Sequence, residues 1–361
     1  MDAEELVRLR LVRQKLRPPY ASSPEEILRQ LLAVQAQEFA YARWSLAQRT
    51  SGTTAQLVED AVADGRILRT HILRPTWHFV HRDDLRWLME LSRPRLHQAN
   101  QATYRQTGIS AGDSARSDAI LAEAVAGGRH KTREELAAIL QDEGFEAQRL
   151  RLAYLVMHAE VNGILVSGTP LRSPGGALKQ RYALFDERVP AGSVEREAAL
   201  ARLAQRYFSS RGPATVRDCA GWSGMTMTDV RFGLRLAEEQ DPGLLESFTI
   251  DGTDFYFRPD ASSDDDGTRL DLIQCYDEYV MGYSQSRHYL GGTVPLFPGD
   301  KPIHVVLRNG RLAGFWRHRF ERGTCELDIR MDTELDGPER EALERTISAY
   351  GAFLGMPVKR T

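Results

Sequence analysis

Three times in its first 260 residues the chain repeats one order of elements, and this recurrence limits its fold more than any single motif does. The first round opens on "SSPEEILRQLLAV", where Ser23 offers an N-cap, Pro24 the first helical position and Glu26 an acid three residues on. "FAYARWSLAQRT" reads as a second short helix. Thr53 or Thr54 caps a third, "AQLVEDAVADG", which Gly65 stops. Then comes "RILRTHILRPTWHFVHRDD", β-branched and aromatic with Pro75 in its middle, the mark of a hairpin. An amphipathic helix over residues 3–16 precedes this round and breaks at "RPPYASSP".

The second round is the cleanest. "SDAILAEAVAGG" and "KTREELAAILQDEG" are helices, the latter with Thr132 as cap, Glu135 three later and Gly144 as stop. "EAQRLRLAYLVMHAEVNG" is a third helix, and "ILVSGTPLRSPGGALKQRYALFDE" gives two strands around a Gly/Pro/Ser loop. The third round runs through "EREAALARLAQRYFSSRG", "TVRDCAGWSG" and "TMTDVRFGLRLAEEQ" to a hairpin that turns at Asp251-Gly252. Helix, helix, helix, hairpin is the order of a winged helix. The spacing is too irregular for a solenoid. The expected fold is mainly α with β-wings, an α+β chain. Its units are a winged helix over 1–112, a second over 113–192, a third over 193–260, and a small α+β unit over 270–361. In that last unit "IHVVLRNGRLAGFWRHRFERGTCELDIRM" predicts three antiparallel strands and "GPEREALERTISAYGAFLG" a closing helix. The acidic stretch "RPDASSDDDG" separates it from what precedes.

Composition closes off several classes. No stretch approaches the ~18 apolar residues of a membrane span. The charged start "MDAEELVRLRLVRQKL" has no signal-peptide core. A cytoplasmic protein is expected. Cys219, Cys275 and Cys325 are far apart, neither a disulfide framework nor a metal cluster. His78 and His81 are three apart in a segment that alternates as a strand, so no metal and no cofactor is expected. Net charge is -3, split as +3 over residues 1–190 (26 basic, 23 acidic) and -6 over the rest (21 basic, 27 acidic). Only five of the 47 basic residues are lysines. Arginine suits bidentate phosphate contacts, although a GC-rich genome gives the same bias.

Gln35 and Gln37 stand one residue apart just after an apolar run. On a helix, positions i and i+2 lie about 200° apart and cannot cooperate. A winged helix places a short strand at this point, and in a strand both amides share a face while Ala36 turns into the packing. A polar seam is the plain structural explanation. The chemical one is that a carboxamide, which cannot titrate, can orient a water and present its carbonyl dipole to developing positive charge.

Gln35-Ala36-Gln37, the wing "LRTHILRPTWHFVHRDDLRWLM", and "DEYVMGY" with "NGRLAGFWR" together resemble the tandem winged-helix DNA glycosylases of the azinomycin-resistance and crosslink type. The likeness runs from residue 1 to about 355 and favours the branch with two glutamines, since the crosslink branch carries an aspartate at the second position. It implies a monofunctional DNA glycosylase that hydrolyses the N-glycosidic bond of N7- or N3-alkylated purines, bulky or crosslinked ones included. The setting implied is DNA repair or genotoxin self-resistance. Gln35 and Gln37 are the catalytic residues it implies. A lyase would need an amine, and the N-terminal half offers only Lys15, Lys131 and Lys179. Duplex DNA is the expected partner and a monomer the expected state. Arg69, His71 and Arg74 of the first wing are expected to hold DNA. Arg149 and Arg151 of the second recognition helix, with Lys179 and Arg181 of its wing, are expected to do the same. A solvated strand face with one structural histidine explains the first set as well, and charged helix faces such as that of the second set are usually just solvated. Trp222 is expected in the core, and Asp277 with Glu278 as structural residues of a strand. Two other readings stay open: a winged-helix transcriptional regulator without catalysis, which would keep the glutamines in a core seam, and a non-catalytic relative that binds a small molecule or sequesters a toxic adduct.

Overall fold

The computed structural model describes residues 2–173, 178–259, 267–292, 303–321 and 323–360. In the first module α2 (Pro24–Leu31) leads into β1 (Ala33–Gln35), then α3 (Phe39–Ala47), α4 (Ala55–Ala63), β2 (Ile67–His71) and β3 (Trp77–His81). Ser23 and Thr54 cap α2 and α4, each accepting a backbone N–H in the first turn. The sheet runs β1-β3-β2, so β1 pairs with the far strand of the hairpin. The second module holds α6 (Ala111–Val125), β4 (Lys131–Thr132), α7 (Arg133–Asp142), α8 (Arg149–Val161), β5 (Leu165–Ser167), β8 (Arg181–Leu184) and the short α9 (Phe185–Arg188). Its wing consists of β6 (Leu171–Arg172) and β7 (Leu178–Lys179), and the tip of the expected Gly/Pro/Ser loop, 174–177, lies outside the described residues. The third holds α10 (Arg196–Arg211), α11 (Val216–Ser223), α12 (Met227–Gln240) and the hairpin β9 (Glu246–Ile250) with β10 (Thr253–Phe257). This is the mainly α, β-winged, α+β architecture that the repeated order predicts.

Several elements depart from the sequence reading. A 25-residue helix, α5 (Arg82–Gln106), follows the first wing. Pro94 lies inside it and its composition is polar, so it lacks an evident apolar period, yet it buries Leu85, Leu88 and Leu96. The C-terminal sheet has five strands rather than three, in the order β11 (Leu270–Ile273), β12 (Val305–Arg308), β13 (Arg311–Glu321), β14 (Thr324–Met331), β15 (Val358–Arg360). The closing helix, α14 (Gly337–Leu354), is capped by Asp336. The first helix, α1 (Ala3–Arg13), packs Val7 and Leu11 against Ile273, Tyr279 and Leu307 of the C-terminal unit. Most of the acidic stretch, 260–266, lies outside the described residues.

One core binds the modules to one another. Leu68 and Val80 of the first wing, Val166 of β5, and Phe208 and Trp222 of the third module share a single apolar cluster. All five residues of β2 are buried, because β5 and α8 of the second module lie against it. Gly224, at φ +72°, ends α11 in the left-handed conformation glycine favours. A Cβ there would stand 2.4 Å from the Leu73 carbonyl oxygen, so the first wing's turn sits directly on this glycine.

Candidate active site

The three modules and the C-terminal unit converge on one strand. β1 faces β3 in the register Gln35↔His78, and Ala36 extends the ladder by donating its N–H to the Trp77 carbonyl at 2.7 Å. Ala36 is fully buried, as the alternation predicts. The Gln35 N–H donates to Glu278 Oε1 at 2.8 Å, and its carbonyl accepts from Gln274 Nε2 at 3.3 Å. Arg69 grips the next two carbonyls, donating from Nε to Ala36 at 2.9 Å and from Nη2 to Gln37 at 3.2 Å.

Glu278 and Asp277 are the residues behind this grip. They begin a short helix, α13 (Glu278–Met281), rather than a strand, with Asp277 as its N-cap. Both are fully buried and their side chains diverge. Asp277 takes a bidentate bond from Arg49 (2.6 and 2.9 Å). Glu278 Oε2 accepts from Arg211 at 2.6 Å and from the Trp222 indole at 2.7 Å. Arg211 in turn donates to the Leu31 and Ala33 carbonyls, fixing β1 from a second side. Trp222 is a core residue with its one polar atom satisfied, as expected. Sequence singles out "DEYVMGY", but Arg211 and Trp222 give no signal there, because their partners are 56 or more positions away.

The two glutamines differ in access. Gln35 is 2 % exposed and lies in a seam. Its Oε1 accepts from Arg74 Nη2 at 2.9 Å, and the half-buried guanidinium of Arg74 covers it. Gln37 is half-buried, and its Oε1 receives the Trp77 N–H at 3.4 Å. It lines a cavity of about 190 Å³ with Phe39, Arg69, Ser167, Lys179 and Gln180. The second module's wing thus reaches the Gln37 side of the strand.

For Arg69 and His71 the expectation of a DNA-holding surface is corrected. They are 6 % and 5 % exposed, because β2 has no solvent face. Arg69 lies 4.3 Å from the Trp77 ring centroid and bonds Gln180, and burial lowers its pKa to about 10. His71 Nδ1 meets Glu160 Oε2 of α8 at 2.6 Å. Both join modules. The other basic candidates lie nearer the surface. Arg149 and Lys179 are exposed, with Lys179 Nζ 3.7 Å from Glu134. Arg151 is half-buried, 3.6 Å from Asp113, and Arg181 donates to the Thr169 carbonyl at 2.8 Å.

Beside the strand, ligand atoms of Glu38, Cys275 and His304 lie within 4.8 Å of one another. His304 Nδ1 accepts the Cys275 backbone N–H at 3.1 Å, which leaves the hydrogen of the neutral ring on Nε2, 3.6 Å from the Glu38 carboxylate. Burial pushes the Cys275 thiol up to about 12. A metal would have to displace both protons, so the trio fits a hydrogen-bonded set better than a ligand set.

The fold and the site together define a protein of tandem winged helices packed around a strand that bears two carboxamides. The match to the family model described as DNA glycosylase AlkZ-like spans residues 28–353, and the chain belongs to that family. Its activity class is therefore that of a DNA N-glycosylase. The Streptomyces sahachiroi DNA glycosylase AlkZ has a similar structure, with a TM-score of 0.75 at 19% sequence identity over 100% of each chain, a likeness of fold. No curated protein matches the chain. No helix among the described residues is long and apolar enough to cross a membrane.

Proposed function

We propose that the chain excises N7- or N3-alkylated purines from duplex DNA by hydrolysis, acting as a cytoplasmic monomer with Gln35 and Gln37 as its catalytic residues. The observation that carries this reading is the treatment of one short strand. Backbone groups of residues 35, 36 and 37 are held by Glu278, Gln274, Trp77 and Arg69, and this fixes the backbone that carries two uncharged amides. Alkylation at N7 or N3 makes the base cationic, and it departs neutral, so no acid need protonate it. What remains is to hold a water and stabilise an oxocarbenium-like sugar, which oriented carboxamides can do.

In this reading Arg74 leaves Gln35 when DNA binds, because a phosphate offers it a charge-assisted bond stronger than an amide oxygen does. Arg149, Arg151, Lys179 and Arg181 hold the backbone, and Arg69 and His71 keep the frame. The test is single-turnover excision from a duplex with one N7-alkylguanine, compared with spontaneous depurination. Wild type should exceed that baseline and Gln35→Ala/Gln37→Ala should not. Equal rates for wild type and baseline, with methyl and bulky adducts both tried, would return the pair to a structural role. Lys179 lines the cavity beside Gln37 and is the amine a lyase step would use. Borohydride should trap no protein–DNA adduct if the enzyme is monofunctional, and a trapped adduct lost in Lys179→Ala would make it a lyase.

A further inference from the structure

Gln35, His78 and Thr70 form one cross-strand row, since His78 pairs with Gln35 on one side and with Thr70 on the other. Directly opposed side chains share a sheet face, with Cβ atoms about 5 Å apart. His78 is fully buried. Its Nδ1 lies 2.9 Å from the Thr76 carbonyl oxygen. A carbonyl only accepts, so Nδ1 carries the ring hydrogen. Burial, then the Arg74 cation, holds the ring neutral. Nε2 is left as a bare lone pair, and it has no hydrogen-bond partner among the described residues. Thr70 Oγ1, Thr76 Oγ1 and Arg74 Nε are also buried without a partner. Such atoms are costly and rare, and two of them belong to the residues that face or touch the amide assigned to catalysis: His78, opposite Gln35 in the sheet, and Arg74, bonded to its Oε1.

We infer that His78 is a positioning residue that decides which end of the Gln35 amide faces the substrate, a role that rests on the glycosylase reading above. An acceptor beside Gln35 draws the amide nitrogen toward itself and turns the carbonyl oxygen outward. The other tautomer would donate, draw the oxygen in and present an NH2 group to a cationic sugar. The amide already has the useful sense, with Oε1 directed at the Arg74 guanidinium. That cation occupies the electrostatic position that an oxocarbenium would take once Arg74 has moved to a phosphate. In the free protein the Arg74 bond holds that sense; once Arg74 has left, the bare Nε2 whose tautomer the Thr76 carbonyl fixes is the acceptor that keeps the amide nitrogen inward and the oxygen toward the charge. Hydrogen bonds of this kind often tighten only when substrate binds.

The experiment compares wild type, His78→Phe and His78→Gln in single-turnover excision and in binding to the same alkylated duplex, with thermal melts of each. His78→Phe removes the acceptor, and a misplaced amide should lower excision on the order of 100-fold with DNA affinity unchanged. His78→Gln restores an acceptor oxygen and should recover most of the rate. If His78→Phe does not fold, His78→Gln and nitrogen-15 NMR of labelled histidine carry the test, and a protonated Nδ1 with a bare Nε2 is expected. Wild-type excision by His78→Phe, a folded but inactive His78→Gln, or an Nε2–H tautomer would each overturn the inference. An inactive wild type would instead overturn the glycosylase reading, and this role with it.

Discussion

Removing the Glu278 carboxylate would leave the Gln35 N–H and the Trp222 indole without an acceptor where water does not reach, and the Arg211 guanidinium without its counter-ion. Both charges of this pair are fully buried. A buried pair adds little net stability when intact, but breaking it strands the surviving charge. Glu278→Ala should therefore cost about 3–5 kcal/mol in urea unfolding. It should also lower excision, because β1 loses its hold at Gln35. A loss below ~1 kcal/mol would mean that Arg211 finds another partner, and would remove Glu278 from the account. At this scale the sequence is legible in part. Gln35 and Gln37 can be picked out because a strand has period two and both neighbours are apolar or small. Glu278 can be noticed but not assigned, since its partners come from β1, α10 and α11, and contacts over such separations leave no local pattern. Arg69 misleads for a related reason. Its alternation in a wing looks like a solvated face until β5 is laid over it.

Elements carry two further tests. The first wing's turn rests on Gly224, so Gly224→Ala adds a Cβ at 2.4 Å from the Leu73 oxygen as well as an unfavourable φ of +72°. It should destabilise by more than about 1 kcal/mol. It should also slow excision, because Arg74 follows Leu73 and would shift off Gln35. Unchanged excision would separate the turn from the site. The second test concerns the docking of α3 on the C-terminal sheet. Tyr41 of α3 stacks between His304 and His318, with ring centroids 3.8 and 4.0 Å apart. Burial lowers both histidines from 6.5 to about 4, with His304 and Arg43 adding to the effect at His318. Each is neutral in the fold, while the unfolded chain protonates near 6.5. The unfolded state thus binds more protons between these values, and stability is lost as pH falls from about 6.5 to about 4. Urea midpoints should drop across that window. His304→Gln with His318→Gln should flatten the slope, and an unaltered slope would assign it to other groups. The capped helices were legible because caps are local chemistry. α5 was not, because its apolar stripe is sparse and Pro94 argues against a helix that tertiary packing nevertheless completes.

For the whole molecule the question is how a chain of net charge -3 holds a polyanion. Bulk charge does not decide this, since binding depends on how many phosphates are neutralised and how many counterions are released. The fold sorts the arginines and lysines into two sets that sequence cannot separate. Arg10, Arg49 and Arg211 are buried and hold backbone carbonyls or carboxylates from other units, and Arg69 is buried on the carbonyls of its own module's strand. Arg149 and Lys179 remain exposed in the second module. The winged-helix order was visible because each module is local, whereas its use was hidden because the seams between modules are not. Salt dependence distinguishes the two sets. Lys179→Ala and Arg149→Ala should each reduce the slope of log affinity against log salt by about one, with stability little changed. Arg69→Ala should leave that slope unchanged while lowering the melting temperature, since its guanidinium bonds two carbonyls of the strand and none of its groups meets solvent freely. A smaller salt slope in Arg69→Ala would mean that β2 opens on DNA, and that the first wing reaches phosphate after all.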